Sequence, residues 1–265
     1  MTSSNTPIQP QPQPSFSAAQ YAADGKHHIL LAATGSVATI KIPLIARALS
    51  SHYPIISLRI LLTPPATHFL QAQSAEQPDL SSLLALPGVE GIHEDQDEWS
   101  KPWVRGDAIL HIELRRWAHV LVIAPLSANS LAKIVNGLSD GLLMNVLRAW
   151  DTTGLVDGVD GAGRRKRVFV APAMNTAMWK HPITGRQIRV LEEEWGGRSE
   201  GEDGRADGEE PAGSVNGWIT VLRPTEKGLA CGDVGDGAMM DWRDIVAHVE
   251  RYLGLESKQH TDEKD

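Results

Sequence analysis

The sequence predicts an α/β protein built on one doubly wound parallel sheet, in a single domain, and three observations carry that expectation. Short apolar runs alternate with helical patterns five times between residues 27 and 253. Neither a tight hairpin signal nor an internal repeat interrupts them. Four of the runs end in small or polar residues that open a helix, as the carboxyl edge of a parallel strand does. Right-handed crossovers would put helices on both faces and gather those four turns along one edge.

The elements follow in order. Residues 1–26 alternate Pro7, Pro10, Pro12 and Pro14 with polar residues and carry no hydrophobic period, so they are expected to be disordered, with the folded domain over 27–255. His28–Ala33 reads as the first strand, Thr34–Ala38 as a tight turn, and Ile42, Ile45, Ala46 and Leu49 as the buried stripe of a helix. Gly35 lets the backbone turn closely, and Ser36 offers a hydroxyl at a helix N-terminus, where unpaired N–H groups attract anions. The turn reads either as a phosphate site or as an ordinary capped βα turn. It lacks the GxGxxG pattern, which disfavours a classical NAD site.

Ile55–Leu62 is the second strand, Thr63–Thr67 a loop, and His68–Gln73 the expected start of a helix. Residues 78–105, with Trp99 and Trp103 near acidic residues, read as a surface flap with no assignable element. Ala108–Trp117 is helical and carries His111 near its start in an apolar setting, where a lone histidine is more often structural than catalytic. Val120–Ala124 is the third strand, followed by Pro125–Ser130. One long helix over 131–150 is then expected from Leu131, Ile134, Val135, Leu138, Leu142, Val146, Leu147 and Trp150, its stripe wide enough for core and a subunit contact. Residues 151–166 read as a solvent-exposed insertion.

Val168–Val170 is the fourth strand, stopped by Pro172, which has no N–H for a sheet ladder. Asn175 then sits between Met174 and Met178 at the strand's carboxyl edge. Its amide could hold a ligand, donating to a carboxylate or accepting from an N–H; it could equally cap the next helix, with the methionines filling core. Trp179–Trp195 reads as that helix. Residues 198–216 form a second insertion with six acids between Glu200 and Glu210. Trp218–Leu222 is the fifth strand. Leu229–Met240 is a glycine-rich stretch around Cys231 that is expected to be mobile, Asp241–Leu253 a closing amphipathic helix, and 256–265 a polar tail.

Composition narrows the function classes. The 265 residues are 42% hydrophobic and 22% charged, ordinary for a globular chain. A net charge of −8 with no basic face argues against nucleic acid or an acidic membrane surface. No apolar run reaches the roughly 18 residues of a membrane span. One cysteine excludes an intrachain disulfide and, with no leader-like N-terminus, points to the cytoplasm. No metal site is expected.

Three motifs together resemble the homo-oligomeric flavin-containing cysteine decarboxylases: Pro172-Ala-Met-Asn-Thr-Ala-Met-Trp179, His111-Ile-Glu-Leu-Arg-Arg-Trp117, and Ala230-Cys-Gly-Asp233. The likeness covers nearly all of residues 27–253. It implies a flavodoxin-like or Rossmann-like domain that binds FMN. Gly35, Ser36 and Val37 would serve as the phosphate-side turn, Thr63 and Ala66 as second-loop contacts, Ser127, Ala128, Asn129 and Ser130 as a further FMN loop, and Ala173 as a strand-edge contact. It also implies His111 and Cys231 as catalytic residues, and Asn175, Met174 and Ala230 as substrate contacts.

The implied reaction is decarboxylation of 4'-phosphopantothenoylcysteine in coenzyme A biosynthesis. A cysteine carboxylate has no electron sink, and oxidising its thiol side to a thioaldehyde creates one, with the flavin carrying the hard chemistry. His111 would be the base, Asn175 would hold the carboxylate, and Cys231 would return a proton. The resemblance further implies a homotrimer with sites at subunit boundaries. Two alternative roles accompany it: inhibitory subunit of a protein phosphatase, partnering the catalytic subunit, or decarboxylation of a peptide's terminal cysteine. The intact His111, Asn175 and Cys231, and the short tail, favour the enzyme.

Overall fold

The computed structural model describes residues 16–157, 165–196, 217–228 and 234–255. Its centre is a six-stranded parallel sheet made of β1 (His27–Ala33), β2 (Ile56–Leu62), β3 (Val89–Glu94), β4 (Val120–Leu126), β5 (Arg167–Pro172) and β6 (Ile219–Val221), in the order β3-β2-β1-β4-β5-β6. Parallel strands are buried on both faces and so read as continuous apolar runs, which is how β1, β2, β4 and β5 stood out. Alternate residues of β1 serve separate cores. Ile29, Leu31 and Ala33 pack on one face, with the closing helix; Leu30 and Ala32 pack on the other, with Trp117, Leu131 and Val146. Two cores on one sheet are the mark of double winding.

The helices in order are α1 (Ile42–His52), α2 (Pro64–Thr67), α3 (Leu80–Leu84), α4 (Asp95–Glu98), α5 (Leu110–Trp117), α6 (Ala128–Val135), α7 (Leu142–Arg148), α8 (Thr176–Lys180), α9 (Pro182–Arg189) and α10 (Trp242–Tyr252). A short antiparallel pair, β7 (Thr225–Gly228) and β8 (Val234–Ala238), stands apart from the sheet.

Several expectations are corrected. Residues 78–105 hold the edge strand β3 and helices α3 and α4. The strand was hidden because only Val89 and Ile92 in it are apolar. The expected helix over 131–150 is two helices, α6 and α7, because Gly137 adopts φ +68 after α6 and ends it. Most of their apolar residues are absorbed by this chain's own core, with Leu131, Ile134, Leu142, Val146, Leu147 and Trp150 buried, while Val135 is half-buried and Leu138 is 53% exposed. The helix expected at His68–Gln73 lies earlier, at α2, and the one expected over 179–195 is divided into α8, α9 and a last turn at Val190–Glu194. Within the glycine-rich stretch read as mobile, Val234–Ala238 forms strand β8, and residues 229–233 lie outside the described residues.

The N-terminal expectation is corrected in part. Residues from Phe16 onward pack: the Arg59 guanidinium lies 3.9 Å from the Phe16 ring centre and donates to the Tyr21 hydroxyl at 3.0 Å. Ala18 N–H donates to Glu113 at 2.7 Å. This segment covers a buried arginine inside β2, a partnership no local period announces. The insertion expected over 151–166 is likewise anchored at both ends. Asp151 accepts the backbone N–H groups of Thr153, Gly154, Val156 and Asp157, and Lys166 donates to Arg115 O and Arg116 O, capping α5. Residues 1–15, the second insertion at 198–216 and the tail at 256–265 lie outside the described residues.

Candidate active site

The strand order reverses between β1 and β4, and a doubly wound sheet opens a crevice at the carboxyl end of that point. Its two banks are stitched together by Thr34. The Thr34 hydroxyl donates to Pro125 O at 3.0 Å and accepts from Ser127 N–H at 2.7 Å, while Thr34 N–H donates to Pro125 O at 3.1 Å. A cavity of about 360 Å³ lies over the stitch, within the size range of cofactor sites. Gly35, Ser36, Thr63, Ser127–Ser130, Ala173 and Met174, from four separate turns expected along one edge, line it together.

Each lining turn has a local cause. Gly35 is required by the second turn, since a Cβ there would stand 2.6 Å from Pro65 Cβ. Ser36 caps the helical turn that leads into α1, accepting from Ala38 N–H. Ser127 caps α6 and accepts from Ser130 N–H at 3.3 Å, so the cavity lining at Ser127–Ser130 includes the N-terminus of this helix, where N–H groups lack an intrahelical acceptor. Leu143, Met144, Met174 and Met178 supply an apolar, polarizable wall suited to an aromatic ring.

The sequence reading did not single out the lining residues Asp95, Lys133, Asp140, Gly141, Leu143 and Met144. Asp95, from α4, caps α7 by accepting Leu142 N–H at 2.8 Å. Lys133 projects from α6 and pairs with Asp140 at 2.7 Å. A signal for α4 was present: Glu94 and Asp97 form a reciprocal capping box.

Other expected residues stand elsewhere. Val37 is exposed and Ala66 wholly buried, and neither lines the cavity. Asn175 lies outside the lining, at the N-cap of α8, its Oδ1 accepting from Met178 N–H at 2.8 Å. That bond leaves both hydrogens of Nδ2 for another partner. His111 also lies outside the lining; its ring Nδ1 bonds Glu98, and its side chain is 21% exposed against 1% for Glu98. Ala230 and Cys231 lie outside the described residues. The hairpin that brackets them is tied to the cavity: Met174 N–H donates to Gly237 O at 3.0 Å, and Lys180 pairs with Asp236 at 2.8 Å.

A phosphate-ready helix turn, an apolar wall and a crevice at the switch point define a nucleotide-cofactor α/β protein. The chain belongs to the Flavoprotein family, whose model matches residues 17–254. It is 39% identical over 236 residues to a phosphopantothenoylcysteine decarboxylase of Arabidopsis thaliana, covering 89% of this chain and 90% of that protein. It is 40% identical over the same length to a probable thymidylate synthase of Schizosaccharomyces pombe, of which it spans only 31%. Among solved structures, a PPC decarboxylase mutant complexed with pantothenoylaminoethenethiol superposes with a TM-score of 0.64 at 39% identity, over 86% of this chain and 99% of that one. The FMN-binding protein AtHal3 gives 0.62 at 38%, over 88% and 100%.

Proposed function

We propose that this protein is an FMN-dependent decarboxylase that converts 4'-phosphopantothenoylcysteine to 4'-phosphopantetheine in coenzyme A biosynthesis. The observation that carries the reading is the convergence of four turns on one cavity at the switch point, in a chain alike over nearly its whole length to a phosphopantothenoylcysteine decarboxylase. The residues present fit FMN. Ser36 and the first turn of α6 suit its phosphate, and Met144, Met174 and Met178 suit its ring. FMN held there would supply the two-electron oxidation of the substrate's thiol carbon, which gives the pair left by CO2 a sulfur to settle on, and would afterwards return the same two electrons as hydride, so that the overall reaction is redox-neutral.

The chain's own groups bind, orient and move protons. The free Nδ2 hydrogens of Asn175 donate to the substrate carboxylate. His111 takes up the thiol proton, and Cys231 returns a proton to carbon after CO2 has left. Because His111 lies outside the cavity lining, a neighbouring copy completes the site, in a homotrimer. The support is the exposed apolar group Trp99, Trp103 and Val104, which follows Glu98 in the chain and is 52–65% exposed. Among the described residues no helix is long and apolar enough to cross a membrane, and we place the protein in the cytoplasm. A cofactor cavity of this kind is machinery for small-molecule chemistry, so decarboxylation is preferred over phosphatase inhibition.

The test is direct. Purified protein should be yellow with one FMN per chain and should release CO2 from 4'-phosphopantothenoylcysteine. A folded protein that takes up no FMN ends this reading. CO2 released only from a peptide with a terminal cysteine replaces the substrate.

A further inference from the structure

We propose that Glu98 and Asn145 position His111, holding the ring proton on Nδ1 and leaving Nε2 free for proton transfer. The inference deepens the decarboxylase reading and rests on it for its kinetic half only. Three helices contribute: Glu98 ends α4, His111 lies in the first turn of α5, and Asn145 lies on α7. One Glu98 oxygen, Oε1, receives both the backbone N–H of His111, at 3.3 Å, and the His111 ring at Nδ1. The other, Oε2, receives Asn145 Nδ2 at 2.9 Å, and Asn145 Oδ1 accepts from the Ser139 hydroxyl at 2.5 Å.

Polarity along this chain is fixed by the donor and acceptor types. A carboxylate only accepts, so the ring must present N–H at Nδ1, and the neutral imidazole then carries its lone pair on Nε2. The Asn145 amide cannot turn over without setting its oxygen against Glu98, and the Ser139 hydroxyl, able to donate or accept, takes the amide's oxygen in this arrangement. When Nε2 takes up a proton, the new positive charge forms beside a carboxylate that is 1% exposed. The same short helix also sets the cavity wall, because Asp95, one turn earlier, lines the cavity and caps α7. Helix α4 therefore links the His111 network to the wall of this chain's own cavity.

The alternative is that Glu98 only fastens the preceding loop to α5. The two differ in what removing the acceptor does to the ring. Glu98→Ala takes away the acceptor at Nδ1, so the proton is no longer held there and passes toward Nε2. Glu98→Gln keeps an acceptor at Nδ1, because the backbone N–H of His111 selects the amide oxygen on that side; its NH2 then faces Asn145, whose own amide turns to accept it while Ser139 becomes the acceptor.

The experiment uses FMN-loaded protein carrying 15N-histidine, with His111→Asn to identify the resonance. We expect the Nδ1–H form in wild type and in Glu98→Gln, and a shift toward Nε2–H in Glu98→Ala. In turnover, kcat should fall about 10- to 100-fold in Glu98→Ala, the usual loss when a group orienting a working histidine is changed. KM should hold within about twofold, and Glu98→Gln should retain more of the kcat than Glu98→Ala. Asn145→Ala, which leaves the second Glu98 oxygen without its donor, should lower kcat by a smaller factor. Retention of Nδ1–H in Glu98→Ala, or a shift to Nε2–H in Glu98→Gln, overturns the proposal. Should wild type fail to release CO2, the decarboxylase reading falls, and the tautomer measurements still decide the positioning.

Discussion

At the scale of single residues, Asn175 shows how one amide can serve two needs. Its Oδ1 caps α8, as one of the two sequence readings had it, and its Nδ2 is left for a ligand. Asn175→Asp separates them. Aspartate caps helices as well as asparagine, so the thermal midpoint and FMN content should stay near wild type. Like charges brought together cost several kcal/mol, so turnover should drop about a hundredfold or more, read by CO2 release. Normal turnover would leave Asn175 a cap alone. Cys231→Ser tests the other end of the reaction. A serine hydroxyl is a far weaker acid than a thiol, so the variant should release CO2 once and bleach its yellow absorbance without oxygen. Silent substitution would remove Cys231 from the chemistry.

At the scale of elements, legibility followed the kind of signal each piece carries. Strands β1, β2, β4 and β5 were plain because a parallel strand buried on both faces is apolar throughout. Edge strand β3, Val-Glu-Gly-Ile-His-Glu, has one protected neighbour and little apolar content, so it read as flap. Helices α6 and α7 fused because their stripes fall in phase across Asn136–Gly141; Gly137 was the overlooked stop. Gly35, Ser36 and Ser127–Ser130 were legible as cavity residues because turn chemistry is local. Glu98 and Asn145 were not, since their meaning lies in contacts 13 and 47 residues apart along the chain. The hairpin offers its own test. Gly237 is buried, and a Cβ there would run into the Met174 carbonyl. Gly237→Ala should therefore push β8 off the cavity rim, raising KM several-fold with FMN retained. An unchanged KM would show that the rim tolerates displacement.

At the scale of the whole molecule, stability should depend on pH through His93. Burial, and next the adjacent Arg59 guanidinium, hold His93 down at about 4, against a smaller opposing pull from Asp97. Arg59 Nη1 lies 3.2 Å from His93 Nε2, which accepts. The unfolded chain, with histidine near 6.5, binds the proton first. This contribution is thus fully present above about 6.5 and is lost as pH falls from there to about 4, amounting to about 3 kcal/mol. Urea midpoints should fall across that window, and His93→Gln, which keeps an acceptor for Arg59, should flatten the slope. Assembly is the other molecular-scale expectation: light scattering of the FMN-loaded protein should give three times the chain mass of 28.8 kDa. A single-chain mass would require His111 to reach the crevice within its own chain.

The Thr34 stitch bears on how the cofactor arrives. A crevice whose width is set by three short bonds among Thr34, Pro125 and Ser127 has its shape before anything enters. Most of the ordering that a ligand would otherwise have to impose is already met by folding, so little affinity is lost to rearrangement. Preorganisation has a matching rigidity. The banks cannot part to admit a thicker ring system or draw in around a smaller one, and discrimination among cofactors is exercised at entry by the width of the slot.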